Sequence, residues 1–173
     1  MTEAPGELAA ADTPATRALA ASGVPHTVTV HGPVNSLEEA AAIRGVAPRQ
    51  VLKTIVVRRG DDDYVLVLVP GDRQISWPKL RALLGVSRLS MPDATVARDA
   101  TGYERGTITP FGARGSRAGA PWPVVADALI TERHETVSIG GGAHGVSATL
   151  LPADLIAATN AQVADVTEPA AEK

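Results

Sequence analysis

Apolar and polar positions along this chain fall into short segments, and the period changes from one segment to the next. From Thr13-Pro14 the spacing predicts a short helix with proline in its first turn and Gly23 as its stop. His26 to His31 alternates with β-branched residues and reads as a strand. Ser36-Leu-Glu-Glu39 is a capping box that opens a helix through about Ile43, with Gly45 ending it. Val51 to Arg59 and Tyr64 to Val69 are two antiparallel strands around a Gly60 to Asp63 turn, and their near-continuous apolar run implies burial on both faces. Ser76 to Leu84 predicts a capped helix closed by Gly85. A short strand at about Ser87 to Ser90 and a helical turn or two from Pro92 to Arg98 follow.

From Gly102 to Pro123 the period is lost, glycine and proline punctuate the chain, and no core is predicted. Irregular stretches of that length in a compact domain tend to carry function. Val124 to Ile130 resumes as a short strand or helical turn. Glu135 to Leu151 then reads as two strands joined by Gly140-Gly-Gly-Ala-His-Gly145. Pro152 to Thr159 is a last helix, and Val163 to Val166 a terminal strand. Hairpins with helices between them argue for an α+β fold, a curled mixed and largely antiparallel sheet surrounded by helices. The expected layout is one domain over residues 13–167, with disordered tails at 1–12 and 168–173.

The glycine loop is the feature around which the rest is organised, and its literal G-x-G-x-x-G match at Gly140, Gly142 and Gly145 has to be rejected. A dinucleotide fingerprint opens a helix, whereas Val146 to Leu151 continues as a strand. The consecutive glycines suggest instead a hairpin whose backbone N–H groups face something anionic, the plain alternative being a hairpin with no ligand.

Composition narrows the chemistry further. The chain has no cysteine, which excludes a thiolate nucleophile, a thiolate-ligated zinc and a disulfide framework. No apolar run approaches a membrane span and the first residues do not read as a signal peptide, so a cytoplasmic protein without membrane contact is expected. The net charge of -3 includes acids crowded at the two ends, and the remainder is slightly basic. Arg105, Arg114 and Arg117 lie in a stretch from Arg105 to Ala126 that contains no acid, a patch able to meet phosphate or simply a solvated loop.

No G-x-S-x-G elbow, P-loop or H-E-x-x-H is present, and the four histidines lack metal-ligand spacing. His144, inside the glycine loop, is a candidate site residue or an exposed loop histidine. Lys53 interrupts an otherwise apolar strand in a chain that uses arginine over lysine by 13 to 3. Either it snorkels to solvent or its ammonium points into a cleft, to fix a phosphate or stabilise charge on a carbonyl oxygen.

Gln50 to Val57, Thr101 to Gly112, Gly141 to Gly145 and Pro152 to Thr159 together, in this order, resemble the YbaK/prolyl-tRNA-synthetase-associated editing domain family, over about Val24 to Val166. The resemblance implies hydrolysis of the ester in mischarged aminoacyl-tRNA, often by a freestanding domain acting in trans. No metal or cofactor is implied; the partners are the 3′ end of aminoacyl-tRNA and a synthetase.

By that resemblance Lys53 is the family's strand lysine and, with Gly112 and Gly141, part of the catalytic set. Gly102, Tyr103, Gly106, Pro110 and Phe111 form the loop beside the bound aminoacyl end. Ser138, Gly140, Gly142, His144 and Gly145 form the opposite wall. Family members commonly carry a basic residue before the last glycine, where this chain has Ala143-His144. Ser138 matches a family serine if the loop is longer here, and Ser147 stands where some members have an acid. Beside the deacylase stand a non-catalytic module holding an aminoacyl-tRNA or nucleotide end, and a scaffold for a synthetase.

Overall fold

The computed structural model describes residues 11–171. Among them are six helices, α1 (Pro14–Ser22), α2 (Leu37–Arg44), α3 (Trp77–Leu84), α4 (Ala94–Thr101), α5 (Leu129–Glu132) and α6 (Pro152–Thr159). The strands are β1 (His26–Val30), β2 (Leu52–Gly60), β3 (Asp63–Pro70), β4 (Arg73–Ile75), β5 (Val124–Asp127), β6 (Val137–Gly140), β7 (Val146–Leu150), β8 (Gln162–Ala164) and β9 (Thr167–Pro169).

The strands form an antiparallel sheet in the order β1-β7-β6, a mixed sheet β2-β3-β5-β8 and the small antiparallel pair β4-β9. A bridge between Val51 and Ser138 links the first two. The α+β fold with a mixed, largely antiparallel sheet is thus the observed one. Among the described residues the β3-β5 and β5-β8 ladders are parallel, as is the Val51 to Ser138 bridge, and the other ladders are antiparallel.

The continuous apolar run of β3 has the predicted consequence. Tyr64, Leu66 and Leu68 enter one cluster with Leu52, Val56, Ile139, Ala148 and Leu19. Val65, Val67 and Val69 enter a second with Val57, Leu80, Val125 and Val166. Alternation along the strand thus feeds two cores from one central element.

Local signals placed most boundaries. Thr13 caps α1 through a hydroxyl that accepts from the Thr16 amide, and Gly23, Gly45 and Gly85 end their helices in the left-handed conformation. Ser36 caps α2, but Glu39 turns to the amide of Asn35, so the box is one-sided.

Other expectations need correction. Ser76 makes no side-chain cap, and Ser87 to Ser90 contributes one bridge, Arg58 to Ser90, instead of a strand. The terminal strand is Gln162–Ala164, and the chain beyond it is not a free tail, because Thr167–Pro169 pairs with Arg73–Ile75. Of the expected N-terminal tail, residues 1–10 lie outside the described residues.

The stretch after Gly102 is irregular as predicted, yet it supplies core: Tyr103, Thr107, Ile108, Thr109 and Phe111 are all buried. Packing onto the glycine hairpin, not periodicity, buries them.

Asp127 is a buried carboxylate at the end of β5 whose two oxygens accept from the amides of Leu129 and Val166, each at 3.1 Å. Asp127→Ala leaves a buried amide without a partner and is expected to cost about 3 kcal/mol in urea unfolding. Asp127→Asn, which keeps one acceptor, should lose clearly less; equal losses would contradict the pairing.

Candidate functional site

The glycine loop is a hairpin turn from β6 to β7, with Val146 continuing as a strand, so the rejection of a dinucleotide fingerprint stands. The 102–112 loop docks on it. Gly142 donates to the carbonyl of Thr107 at 3.2 Å, and the imidazole of His144 meets Glu104 at 3.3 Å in an exposed contact. Tyr103 donates its hydroxyl to the Phe111 carbonyl at 2.6 Å, and burial pushes its pKa up to about 12. Thr13, at the start of α1, donates to the Gly141 carbonyl at 2.6 Å. Tyr103, Glu104, Gly106 and the 107–108 backbone thus meet Gly140, Gly142 and His144, whereas Gly102 faces Arg114, Gly112 faces Pro14 and Tyr103, Gly141 is tied to Thr13, Gly145 faces the His31 carbonyl, and Pro110 and Phe111 belong to the same docked loop.

That docking gives the glycines a packing reason. At Gly142, with φ at +86°, a Cβ would stand 2.8 Å from Tyr103 Cε1 and 3.3 Å from Thr13 Oγ1. It also corrects the expected row of anion-facing amides. Gly141 donates to the Val146 carbonyl at 2.8 Å and Gly142 to Thr107, so these two N–H groups are engaged. No backbone acceptor is present for the amides of Ala143 or His144 among the described residues.

Sheet register sets out a second surface. Thr27 opposes Thr149, Thr29 opposes Ser147, Ser138 opposes Thr149, and Gly140 opposes Ser147. Opposed residues share a face, so Thr27, Thr29, Ser138, Ser147 and Thr149 lie together, while Val137, Ile139, Ala148 and Leu150 enter the core behind them. The bridge between Val51 and Ser138 puts Val51, and with it Lys53, on this same polar face.

Helix α2 starts against the β3-β4 turn and ends at that face. A Cβ on Gly71 would stand 3.1 Å from Leu37, and at the other end Arg44 donates to Ser138 Oγ at 3.3 Å. Ala40 and Ala41 are buried yet belong to neither apolar cluster. Ser147 is fully buried and its hydroxyl has no partner, as is true of Arg44 Nε. Little in the sequence marks Arg44: it is a cation in the last turn of a helix, which ordinarily needs no ligand.

Lys53 shares the face, but its ammonium is directed to β4, donating to the Arg73 carbonyl at 2.7 Å. Burial lowers its pKa, partly offset by the charge of Asp72. The structure therefore brings the two glycine loops together and does not join Lys53 Nζ to them. No group of residues suited to a metal ion occurs among those described, and no described helix is long and apolar enough to cross a membrane.

The aminoacyl-tRNA editing domain model matches residues 31–158, which takes in α2, the strand lysine, both glycine loops and nearly all of α6. The chain belongs to that family. Among curated proteins, the editing domain is 36% identical over 80 residues to a proline--tRNA ligase of Thermosipho africanus, covering 46% of this chain and 14% of that one. It is 36% identical over 89 residues to a proline--tRNA ligase of Desulforamulus reducens, covering 51% of this chain and 16% of the ligase. The domain thus spans a small part of these curated relatives.

Among solved structures it is similar to a candidate trans-editing enzyme for prolyl tRNA synthetase, with a TM-score of 0.78 and 25% identity, covering 96% of this chain and 99% of the other. A hypothetical protein of known structure gives the same TM-score at 26% identity, covering 90% of this chain and all of its own.

Proposed function

We propose that this domain removes amino acids from mischarged tRNA by hydrolysing the aminoacyl ester, acting in trans. One observation carries the reading: in a chain of the editing family, a hydroxyl-lined strand face beside two docked glycine loops holds a buried hydroxyl, Ser147, and a guanidinium nitrogen, Arg44 Nε, that no protein group satisfies. Buried polar groups without partners are uncommon, and a polar substrate would complete them.

The reaction makes few demands. Water adds to the ester carbonyl carbon, the resulting oxyanion collapses, and the bond to the terminal ribose oxygen breaks. The amino acid leaves and the proton passes to the ribose oxygen, assisted by the neighbouring free ribose hydroxyl. Positive potential at the carbonyl oxygen and exclusion of competing geometries are what the protein has to add. Lys53 supplies potential on the same face, and exchanging its bond to the Arg73 carbonyl for one to substrate is nearly neutral in free energy. The amides of Ala143, His144 and Gly145 are the loop's free donors among the described residues.

A second reading is a module that binds the aminoacyl end without turnover. It is favoured by the engagement of the Gly141 and Gly142 amides within the protein. Multiple-turnover deacylation of a panel of labelled aminoacyl-tRNAs, including alanyl, cysteinyl and seryl forms on proline tRNA, separates the two. Catalytic release from one or two members is the expected result. Retention of tRNA with no release from any member would leave the binding module.

A further inference from the structure

Arg44 ends α2 one residue before its Gly45 cap, and its surroundings leave its charge unanswered. Its partner is the Ser138 hydroxyl at 3.3 Å, and its Nε is buried without an acceptor. No acid stands against it: Arg44 is in no ion pair among the described residues, while Glu135 is held by Arg49 through two bonds of 2.7 and 2.6 Å and Asp72 by Arg133 through bonds of 2.9 and 2.7 Å. Burial lowers the pKa of Arg44, the sign of a cation withdrawn from water without a counter-charge.

Ser147 adds an independent observation. It is wholly buried with no hydrogen-bond partner, and it lies diagonally across the β6-β7 ladder from Ser138. Between Ile139 and Leu151 the glycine hairpin contains no lysine or arginine, so a permanent positive charge beside it has to come from elsewhere.

We propose that Arg44, with the hydroxyls of Ser138 and Ser147, holds a phosphodiester of the substrate's 3′ end. The assignment rests on the aminoacyl-tRNA reading above. In such a substrate the amino acid's carboxyl is esterified and neutral, its amino group is positive, and the permanent anions are the phosphodiesters. A carbonyl oxygen carries charge only in passing, whereas an uncompensated guanidinium in the resting protein calls for a standing anion. Guanidinium edges also match phosphate oxygens in geometry.

The test is titration with adenosine 5′-monophosphate and with adenosine, read by calorimetry and requiring no hydrolysis. The wild type is expected to bind the monophosphate at least tenfold more tightly than the nucleoside. Arg44→Gln, which keeps the aliphatic stem and a neutral donor near the Nε position, should abolish the difference, and Arg44→Lys should keep part of it. Ser147→Ala should weaken monophosphate binding severalfold while leaving the melting temperature unchanged or higher, because it deletes a hydroxyl that has no partner in the free protein.

Equal binding of the two ligands by the wild type, or an undiminished preference in Arg44→Gln, would overturn the assignment. In turnover, Arg44→Gln is expected to raise KM for aminoacyl-tRNA about tenfold with kcat unchanged. A fall in kcat alone would assign Arg44 to the developing oxyanion instead, and so overturn the phosphate role. A protein that prefers the monophosphate through Arg44 but hydrolyses nothing would lose the deacylase and keep this site; hydrolysis without the preference would do the reverse.

Discussion

Lys53→Ala is expected to lower kcat/KM for aminoacyl-tRNA hydrolysis at least tenfold, a loss of about 1.4 kcal/mol or more in transition-state stabilisation. The lysine lies on the polar face with Ser138, and burial lowers its pKa from the ordinary 10.5, an effect the charge of Asp72 partly offsets. One ammonium hydrogen is used on the Arg73 carbonyl, which leaves two for a substrate oxygen. Lys53→Met, which keeps most of the stem, should be as impaired as alanine if charge is what counts. Thermal unfolding provides the control, since both variants also lose the tie from β2 to β4. Variants that melt earlier but turn over at the wild-type rate would reduce Lys53 to that tie and leave charge stabilisation to the loop amides.

Gly112→Ala is expected to destabilise the domain by about 3 kcal/mol, a large part of the roughly 5–15 kcal/mol available to a domain of this kind. Gly112 has φ at +68°, which costs a residue with a Cβ about 1 kcal/mol. The remainder comes from contact: the new methyl would collide with the Pro14 carbonyl oxygen and stand 2.9 Å from the Tyr103 hydroxyl oxygen. Accommodating it means moving the start of α1, whose Thr13 fastens the glycine hairpin through Gly141. Gly106→Ala is the control. Gly106 has φ at +90°, but the nearest atom to its would-be Cβ is His144 Cε1 at 3.9 Å, so only the conformational cost of about 1 kcal/mol applies. Urea unfolding of the two variants should differ by about 2 kcal/mol; equal losses would mean that backbone conformation, not the contact with α1, makes glycine necessary at 112.

Much of this molecule was legible in its sequence, and the legible parts share a cause. Pro14, Ser36 and the stop glycines at 23, 45 and 85 act on the few residues around them, so their effect does not depend on the rest of the chain. The unbroken apolar run of β3 could be satisfied only by burial on both sides, and two clusters meet there. Ser76 failed as a cap because a cap signal competes with other geometry at the same turn, and Ser76 is drawn into the β4-β9 junction by a bond from its own amide to Val166.

The 102–112 loop is irregular, as its lost period predicts, but Tyr103, Ile108 and Phe111 belong to the core. Its order comes from docking on residues 35 to 40 positions away in sequence, as Gly142 on Thr107 and His144 on Glu104, a contact with no periodic trace.

The site divides along the same line. Sequence by itself determined the candidate chemistry: a lysine in an apolar strand, two glycine-rich loops, the absence of any thiol, and the ordered motifs that place the chain in the editing family. Only the tertiary structure decided which groups have spare hydrogen-bonding capacity. It engaged the amides of Gly141 and Gly142 within the protein, turned Lys53 toward β4, set five hydroxyl-bearing residues on one face by strand register, and carried Arg44 from the end of α2 to Ser138, 94 positions away in the chain. The physical reason is that a cap, a turn or an apolar period is satisfied by neighbours in sequence. Whether a donor is free, and whether a charge is answered, depends on everything that folding packs around it.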